Sequence, residues 1–502
     1  MFSSIRNLGT LSLLVALGGC PKSESVTVSP SPTPTVEPEA EGEETADRKY
    51  PEPPGPGDPK PVNFPGVASF KLGNGLVVYV VENHEVPLVS IQLVVRAGEM
   101  DAPLVPNMTA AMLGEGTTTR SKANIDQSIE FVGGSIGAGS GMHATYVFGD
   151  VLKKDVKLAL TLVADEVMNP AFPEDALSKL KDREKTILNF SKSQPQALAE
   201  VLFDEVAYPE GHPYGRPFPT VAEIDGVTVA SLEQFHSTFY KANNAFLVLA
   251  GDITQAEAQP LVKRTLGGWA AAKKQELPPN PLNKFKQYTL PKELTVHLVD
   301  RPASAQTEIL VGNLALARSH KDWAKLFVAN SILGDDAGGR LFLDVREKRG
   351  LAYNIGSAVS DGQAPGTFYI STRTRTKTTG EMLAALFGHI KAIRTETPAE
   401  QEVKEAAAKI VGSFPLSIET SDDIAGKMRE ALIYNLPADY WAGYRDEISA
   451  VTPEQVHEAA RKYIHPIPHV VVVGNASKIE PQIQQVLPKA KIVKYDAELN
   501  KL

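Results

Sequence analysis

The chain reads as an α+β protein made of two homologous mixed-sheet domains. Three features of its 502 residues lead there. The first is a duplicated string. Thr228-Val-Ala-Ser-Leu-Glu-Gln-Phe-His-Ser-Thr-Phe-Tyr240 runs into Ala245-Phe-Leu-Val-Leu-Ala-Gly251, and Thr452-Pro-Glu-Gln-Val-His-Glu-Ala-Ala-Arg-Lys-Tyr463 runs into His469-Val-Val-Val-Val-Gly474. Each half is a threonine-capped amphipathic helix, a short connection and an apolar strand ending in glycine. The offset, 224 residues at the threonines and 223 at the glycines, is too long for a solenoid repeat and suits a whole domain. The second feature is that each unit opens with strand-like runs bounded by turn residues. The third is that helical stretches interleave with these runs while hairpin-like pairs also occur, the pattern of an α+β fold with mixed sheets.

The elements follow in chain order. Residues 1–20 read as an export leader: Arg6 supplies a positive start, and Leu8 to Ala16 an apolar core too short for a spanning helix, which needs about 20 residues. The leader ends Leu17-Gly-Gly-Cys20, and Cys20 is the single cysteine of the chain, so no internal disulfide can form. Residues 21–62 are rich in Pro, Ser, Thr and Glu and poor in apolar residues; such a segment cannot bury enough surface to fold. Proline keeps it extended at roughly 3.1 Å per residue, a tether on the order of 100 Å.

The first domain is expected over 63–272. Gly75 to Val81 and Val89 to Val95 are its opening strands, and Val156 to Val167 is a helix whose apolar face carries Leu158, Leu160, Leu162, Val163 and Val167. A proline-stiffened linker spans 273–289. The second domain, 290–502, opens with Leu294 to Val299 and Thr307 to Val311. The net charge is −9, with much of the acidity in Glu37 to Asp47. No basic stripe or tail is present, which excludes a nucleic-acid partner.

The most informative segment is Gly334-Asp-Asp-Ala-Gly-Gly-Arg-Leu-Phe-Leu-Asp-Val-Arg346-Glu-Lys-Arg-Gly350-Leu-Ala-Tyr353. Leu341 to Lys348 reads as a helix, with Leu341 and Val345 on one face and Phe342 above Arg346. Gly350 is a natural stop. Leu351, Tyr353 and Ile355 alternate on one face of a following strand, so a tight turn brings Arg346 and Tyr353 together. In isolation this spacing reads better as a helix-end cap and a packed tyrosine. The whole string, however, closely resembles the signature of the second domain of insulinase/pitrilysin-family zinc peptidases. The resemblance runs from about Val67 to the C-terminus. It implies the insulinase/mitochondrial-processing-peptidase fold, two similar domains set as the halves of a clam. It also implies that Arg346 and Tyr353 bind peptide substrate across a chamber. A guanidinium can fork to peptide carbonyls, and a phenol can donate to a developing oxyanion.

The same resemblance locates the family's metal motif, His-x-x-Glu-His on a helix, in which two histidines bind zinc and the glutamate is general base. The motif's Gly-Thr ending matches Gly116-Thr117. Counting back, Asn107 and Ala111 stand at the histidine positions and Ala110 at the base. Along Asp182-Arg-Glu184-Lys-Thr-Ile-Leu-Asn189, Asn189 falls at the remaining ligand. All four positions are vacated. A methyl group neither binds zinc nor takes a proton, and no histidine lies between His84 and His143.

No other set of residues replaces them. The prolines of His465-Pro-Ile-Pro-His469 forbid a convergent helical turn. His84 and His457 read as lone surface histidines. The glycine-rich Gly133 to Gly141 lacks the Lys-Ser/Thr of a phosphate loop and reads as a strand edge open to close backbone approach. No cysteine nucleophile is present in either domain.

The expectation is therefore a chain without a cofactor of its own, the non-zinc subunit of a heterodimeric bacterial peptidase. A paralogous zinc-bearing partner would supply metal and base. The alternatives are a binding or scaffold lipoprotein that kept the fold, and a self-sufficient metalloprotease with other ligands. The Leu-Gly-Gly-Cys20 end resembles a bacterial lipobox, which implies a lipid on Cys20. Pro21 after it then implies anchoring in the cell envelope at the outer membrane.

Overall fold

The computed structural model describes residues 62–273 and 276–502. The expectations for the leader, Cys20 and nearly all of the tether concern residues outside these. In the first half the order is β1 (Val67–Lys71), β2 (Val77–Glu82), β3 (Leu88–Val95), α1 (Val105–Leu113), α2 (Lys122–Phe131), β4 (Ser135–Ser140), β5 (Thr145–Leu152) and α3 (Val156–Met168). Then come α4 (Glu174–Ser193), α5 (Pro195–Ala207), α6 (Val221–Gly226), α7 (Val229–Phe239), β6 (Ala245–Gly251) and α8 (Gln255–Leu266).

The second half holds β7 (Thr295–Asp300), β8 (Gln306–Leu314), α9 (Trp323–Gly334), a π-helical turn Phe342–Lys348, β9 (Ala352–Val359), β10 (Thr367–Arg375) and α10 (Thr379–Thr395). It continues with α11 (Glu400–Ser413), α12 (Ser421–Ile433), α13 (Tyr440–Ser449), α14 (Pro453–Tyr463), β11 (His469–Gly474), α15 (Ala476–Val486) and β12 (Lys491–Tyr495).

The two sheets are six-stranded and mixed, ordered β1-β2-β6-β3-β5-β4 and β12-β7-β11-β8-β10-β9. Five consecutive strands correspond: β2-β6-β3-β5-β4 and β7-β11-β8-β10-β9. In both, the glycine-ended strand lies between a parallel and an antiparallel neighbour. Only the outermost strand differs, β1 coming from the start of its half and β12 from the end. The duplicated helices keep their caps: Thr228 and Thr452 each accept from the backbone N–H three residues on, in a reciprocal capping box. Every residue of β6 is buried, since this central strand has packed material on both faces.

That second covering layer is exchanged between the halves. Helix α5 of the first half lays Leu198, Leu202 and Phe203 on Val299, Leu310, Val471 and Val473 of the second sheet. Helix α12 of the second half packs Ile424, Ala425 and Met428 in the cluster that holds Val94, Phe246, Val248 and Ala250 of the first sheet. Polar contacts fix the register. Asp422 accepts from Ser90 at 3.1 Å and from Gln92 at 2.7 Å, Arg429 donates to Gln92 at 2.8 Å, and Arg96 donates to the Leu432 carbonyl at 3.0 Å. No helix among the described residues is long and apolar enough to cross a membrane.

Candidate substrate-holding site and the vacated metal helix

Helix α9 is buried almost all round, and the chain leaves it through a glycine-dependent contact. A Cβ on Gly339 would stand 2.5 Å from the Gly334 Cα, so only glycine lets the next turn close on the helix end. The charged residues of this segment are then tied down one by one. Lys409 on α11 holds both Asp335 and Asp336. Arg340 forks to Glu402 through two bonds of 2.6 Å. Asp344 accepts from His389 at 2.9 Å and pairs with Arg349 at 3.0 Å.

The expected α-helix over 341–348 is in fact a π-helical turn, widened by the Arg349 N–H donating to the Asp344 carbonyl at 3.0 Å. Gly350, at φ 58°, makes the left-handed stop.

Arg346 is left outside this network. Its guanidinium carbon lies 4.6 Å from the Phe342 ring centroid and 4.8 Å from that of Tyr353, between two aromatic faces. Its ion pair is a 3.4 Å contact to the exposed Glu347. The structure thus brings Arg346 and Tyr353 together. The expected alternation along the strand does not hold: Leu351 and Ile355 are buried, but Tyr353 is 84% exposed. The reason is a β-bulge. Ile355 pairs with Thr372 and Ala352 with Thr374, so Tyr353 and Asn354 together face Arg373 alone. The extra residue turns the phenol out of the sheet face and over Arg346.

The vacated positions start on α1. Its first turn is capped by the Glu99 carboxylate, which accepts from the backbone N–H groups of Leu104 at 3.0 Å and Asn107 at 2.9 Å. Burial raises the Glu99 carboxyl, against the lowering by these two bonds and by Arg216; Glu184 on α4 raises it further. Burial likewise raises Glu184.

Ala110 and Ala111 line a cleft of about 210 Å³ between α1, α2, α3 and β4. Asn189 is exposed on α4 and is not among the residues that line it. The donor set does not fit zinc: two of the four positions carry methyl groups and a third faces solvent. Among the described residues no three His, Cys, Asp or Glu side chains converge as metal ligands.

The most perturbed carboxyl of the cleft, Glu166 on α3, is one that the sequence does not single out. It is 3% exposed, and burial together with Asp126 raises it to about 8, against Lys122. Its only sequence signal is an acidic residue within the apolar end of an amphipathic helix.

The histidines lie elsewhere. His84 is half-exposed on Asp252 at 2.6 Å, and His457 bonds the Arg394 carbonyl at 3.0 Å. His465 folds onto the Ile467 carbonyl at 2.8 Å in the loop before β11. The glycine-rich run forms β4, the edge strand of the first sheet. It is the positional counterpart of β9, which carries Tyr353.

Comparison with known proteins agrees with this architecture. Residues 77–214 match the family described as Insulinase (Peptidase family M16), and residues 226–410 match the Peptidase M16 inactive domain. The chain is 25% identical over 433 residues to an uncharacterized zinc protease of Mycobacterium leprae, covering 84% of this chain and 94% of the relative. It is 24% identical over 364 residues to the uncharacterized zinc protease YmxG of Bacillus subtilis, covering 71% and 85%. Among solved structures, a peptidase M16 inactive domain from Pseudomonas fluorescens superposes with a TM-score of 0.74 at 28% identity, over 82% of this chain and 98% of that one. A protease from Helicobacter pylori shares the fold at a TM-score of 0.72 and 18% identity, over 82% and 99%. With both of its halves matched and the sheet pair in common, the chain belongs to the insulinase family, peptidase family M16.

Proposed function

We propose that this chain is the non-zinc subunit of a two-chain zinc peptidase, holding peptide substrate with Arg346 and Tyr353 while a zinc-bearing paralogue supplies metal and base. The observation that carries this reading is an asymmetry. The metal helix has lost its donors, whereas the Arg346–Tyr353 pair is built, pre-oriented and left open by a bulge, a π-turn and four anchoring ion pairs. Stacking between Phe342 and Tyr353 fixes the plane of the guanidinium and leaves its N–H groups to fork onto peptide carbonyls. The exposed Tyr353 hydroxyl is placed to donate to an oxyanion as it develops, where a positioned donor acts most strongly. Edge strand β4, poor in side-chain bulk, offers backbone groups to an extended peptide. Lipid on Cys20 would hold the assembly at the outer membrane of the cell envelope.

The test compares the purified chain with its mixture with a His-x-x-Glu-His paralogue. Alone, the chain is expected to hold no stoichiometric zinc by elemental analysis and to cleave no peptide; the mixture is expected to hydrolyse peptide faster than the paralogue by itself. One tightly held zinc per chain, or hydrolysis by the chain alone, overturns the proposal. If the mixture gains nothing, the chain is a binding or scaffold protein with a peptidase fold.

A further inference from the structure

Ala110 and Ala111 on α1 leave space beside them, and that space is chemically specific. Ile125, Ile129 and Ile136 wall the cleft, and Glu166 and Asp126 bring two carboxyls to it. At about 210 Å³ it has room for several water-sized groups at about 30 Å³ each. Glu166 is only 3% exposed, yet it makes neither a hydrogen bond nor an ion pair among the described residues, and the half-buried Asp126 makes none either. The nearby cation, Lys122, is committed to Glu115 at 3.1 Å and to the Gly114 carbonyl at 3.4 Å. A carboxyl this enclosed is costly to ionise unless a cation comes to sit beside it.

From this we infer that the cleft is a binding site for a primary ammonium on a short aliphatic stem. The charged head would sit between Glu166 and Asp126, and the methylenes would lie against the isoleucines, as lysine stems do on apolar surfaces. A divalent cation does not suit the site, because no third carboxylate or imidazole converges there. An anion is repelled. The ammonium can come from a free alkylamine or from the lysine side chain of a peptide. The inference does not depend on the two-chain peptidase reading, since it concerns this chain alone.

Protonation supports the geometry. Glu166 faces Lys122 and Asp126 from α2 and Asp165 on its own helix, while α1 and β4 present only alanine, glycine and isoleucine. Asp165 is engaged by Thr117, Thr119, Arg120 and Asn169. With Glu166 holding its proton up to about 8, binding a cation at neutral pH must expel that proton. Affinity should therefore rise from pH 6 to pH 9 while the amine stays charged, with a pKa of about 10.4 for a lysine-like amine.

The experiment titrates the full chain, with isoleucine methyls labelled for NMR, with n-butylammonium, 1-butanol, Nα-acetyl-lysine amide and Nα-acetyl-norleucine amide. The expected result is saturable shifts of the Ile125, Ile129 and Ile136 methyls with the two amines and not with the neutral isosteres. Affinity should fall at least tenfold in Glu166→Gln, which keeps the shape of the protonated acid. Ala110→Leu, which fills the cleft, should abolish the shifts in a protein whose melting is checked separately. Stronger binding of the lysine amide assigns the site to peptide, and stronger binding of butylammonium to free amines. Equal shifts with butanol, or unchanged affinity in Glu166→Gln, overturn the proposal and leave a plain apolar pocket.

Discussion

Arg346 is held by aromatic faces and Tyr353 by a bulge, and the sequence discloses these two facts unequally. The stacking of Arg346 on Phe342 follows from i,i+4 spacing and is legible in the amino-acid order itself. The exposure of Tyr353 is not. Whether a residue joins the buried face depends on its register with β10, and one extra residue opposite Arg373 resets that register without leaving a local mark. Glu166 is hidden for a similar reason: its burial is imposed by α2 and β4, which are distant in sequence.

Glu166 makes a sharp expectation. It keeps its proton in the fold up to about 8 but releases it near 4.5 when unfolded. Between those values the folded state binds more protons, so stability is highest below that window and falls as pH rises through it. At about 1.4 kcal/mol per pH unit the loss is on the order of a few kcal/mol. Glu166→Leu should therefore melt higher than the parent, with a larger gain at pH 9 than at pH 5. An equal gain at both values would show that Glu166 is ionised throughout.

Between α9 and β9 the chain is shaped by glycines that act for different reasons, and thermal melts can separate them. At Gly339 the obstacle is steric, the Gly334 backbone 2.5 Å away. Gly339→Ala should cost about 1–3 kcal/mol, the range for overpacking, and should displace the π-turn that carries Arg346. At Gly350 the space is open and only φ 58° is at issue. Gly350→Ala should cost about 1–2 kcal/mol from the left-handed conformation, and Gly350→Asn less. Similar losses for alanine and asparagine at 350 would contradict the conformational explanation. Gly350 is readable as a stop from the sequence. The π-turn is not, because a helix that takes in one additional residue per turn looks the same as an α-helix in composition.

For the molecule as a whole, the duplication is visible in the capped helix and glycine-ended strand of each half, since caps and burial patterns are written locally. The exchange of α5 and α12 is not, because an amphipathic helix states that it has an apolar face and not which sheet will cover it. The exchange makes the halves interdependent. Phe203, in the first half but 2% exposed under the second sheet, should cost about 3–5 kcal/mol on Phe203→Ala. Hydrogen exchange should then show β8 and β11 losing protection although the substitution lies in the other half; protection lost in the first half alone would argue against the interlock. Cys20→Ser should move the protein from the membrane fraction to the soluble fraction, and a variant that stays with membranes in the absence of a membrane-bound partner would refute lipid anchoring.

Whether the Arg346–Tyr353 pair acts on substrate is decided by peptide hydrolysis in the mixture with a zinc-bearing paralogue, comparing the parent chain with Tyr353→Phe. That substitution removes one hydroxyl from an 84% exposed side chain, so melting and complex formation should be unchanged. Turnover should fall by about 10²–10³, the typical loss for one oxyanion donor, and Arg346→Ala should in addition raise KM. Undiminished turnover in both variants, with the complex intact, would show the pair to be structural and this chain to be no part of the peptidase site.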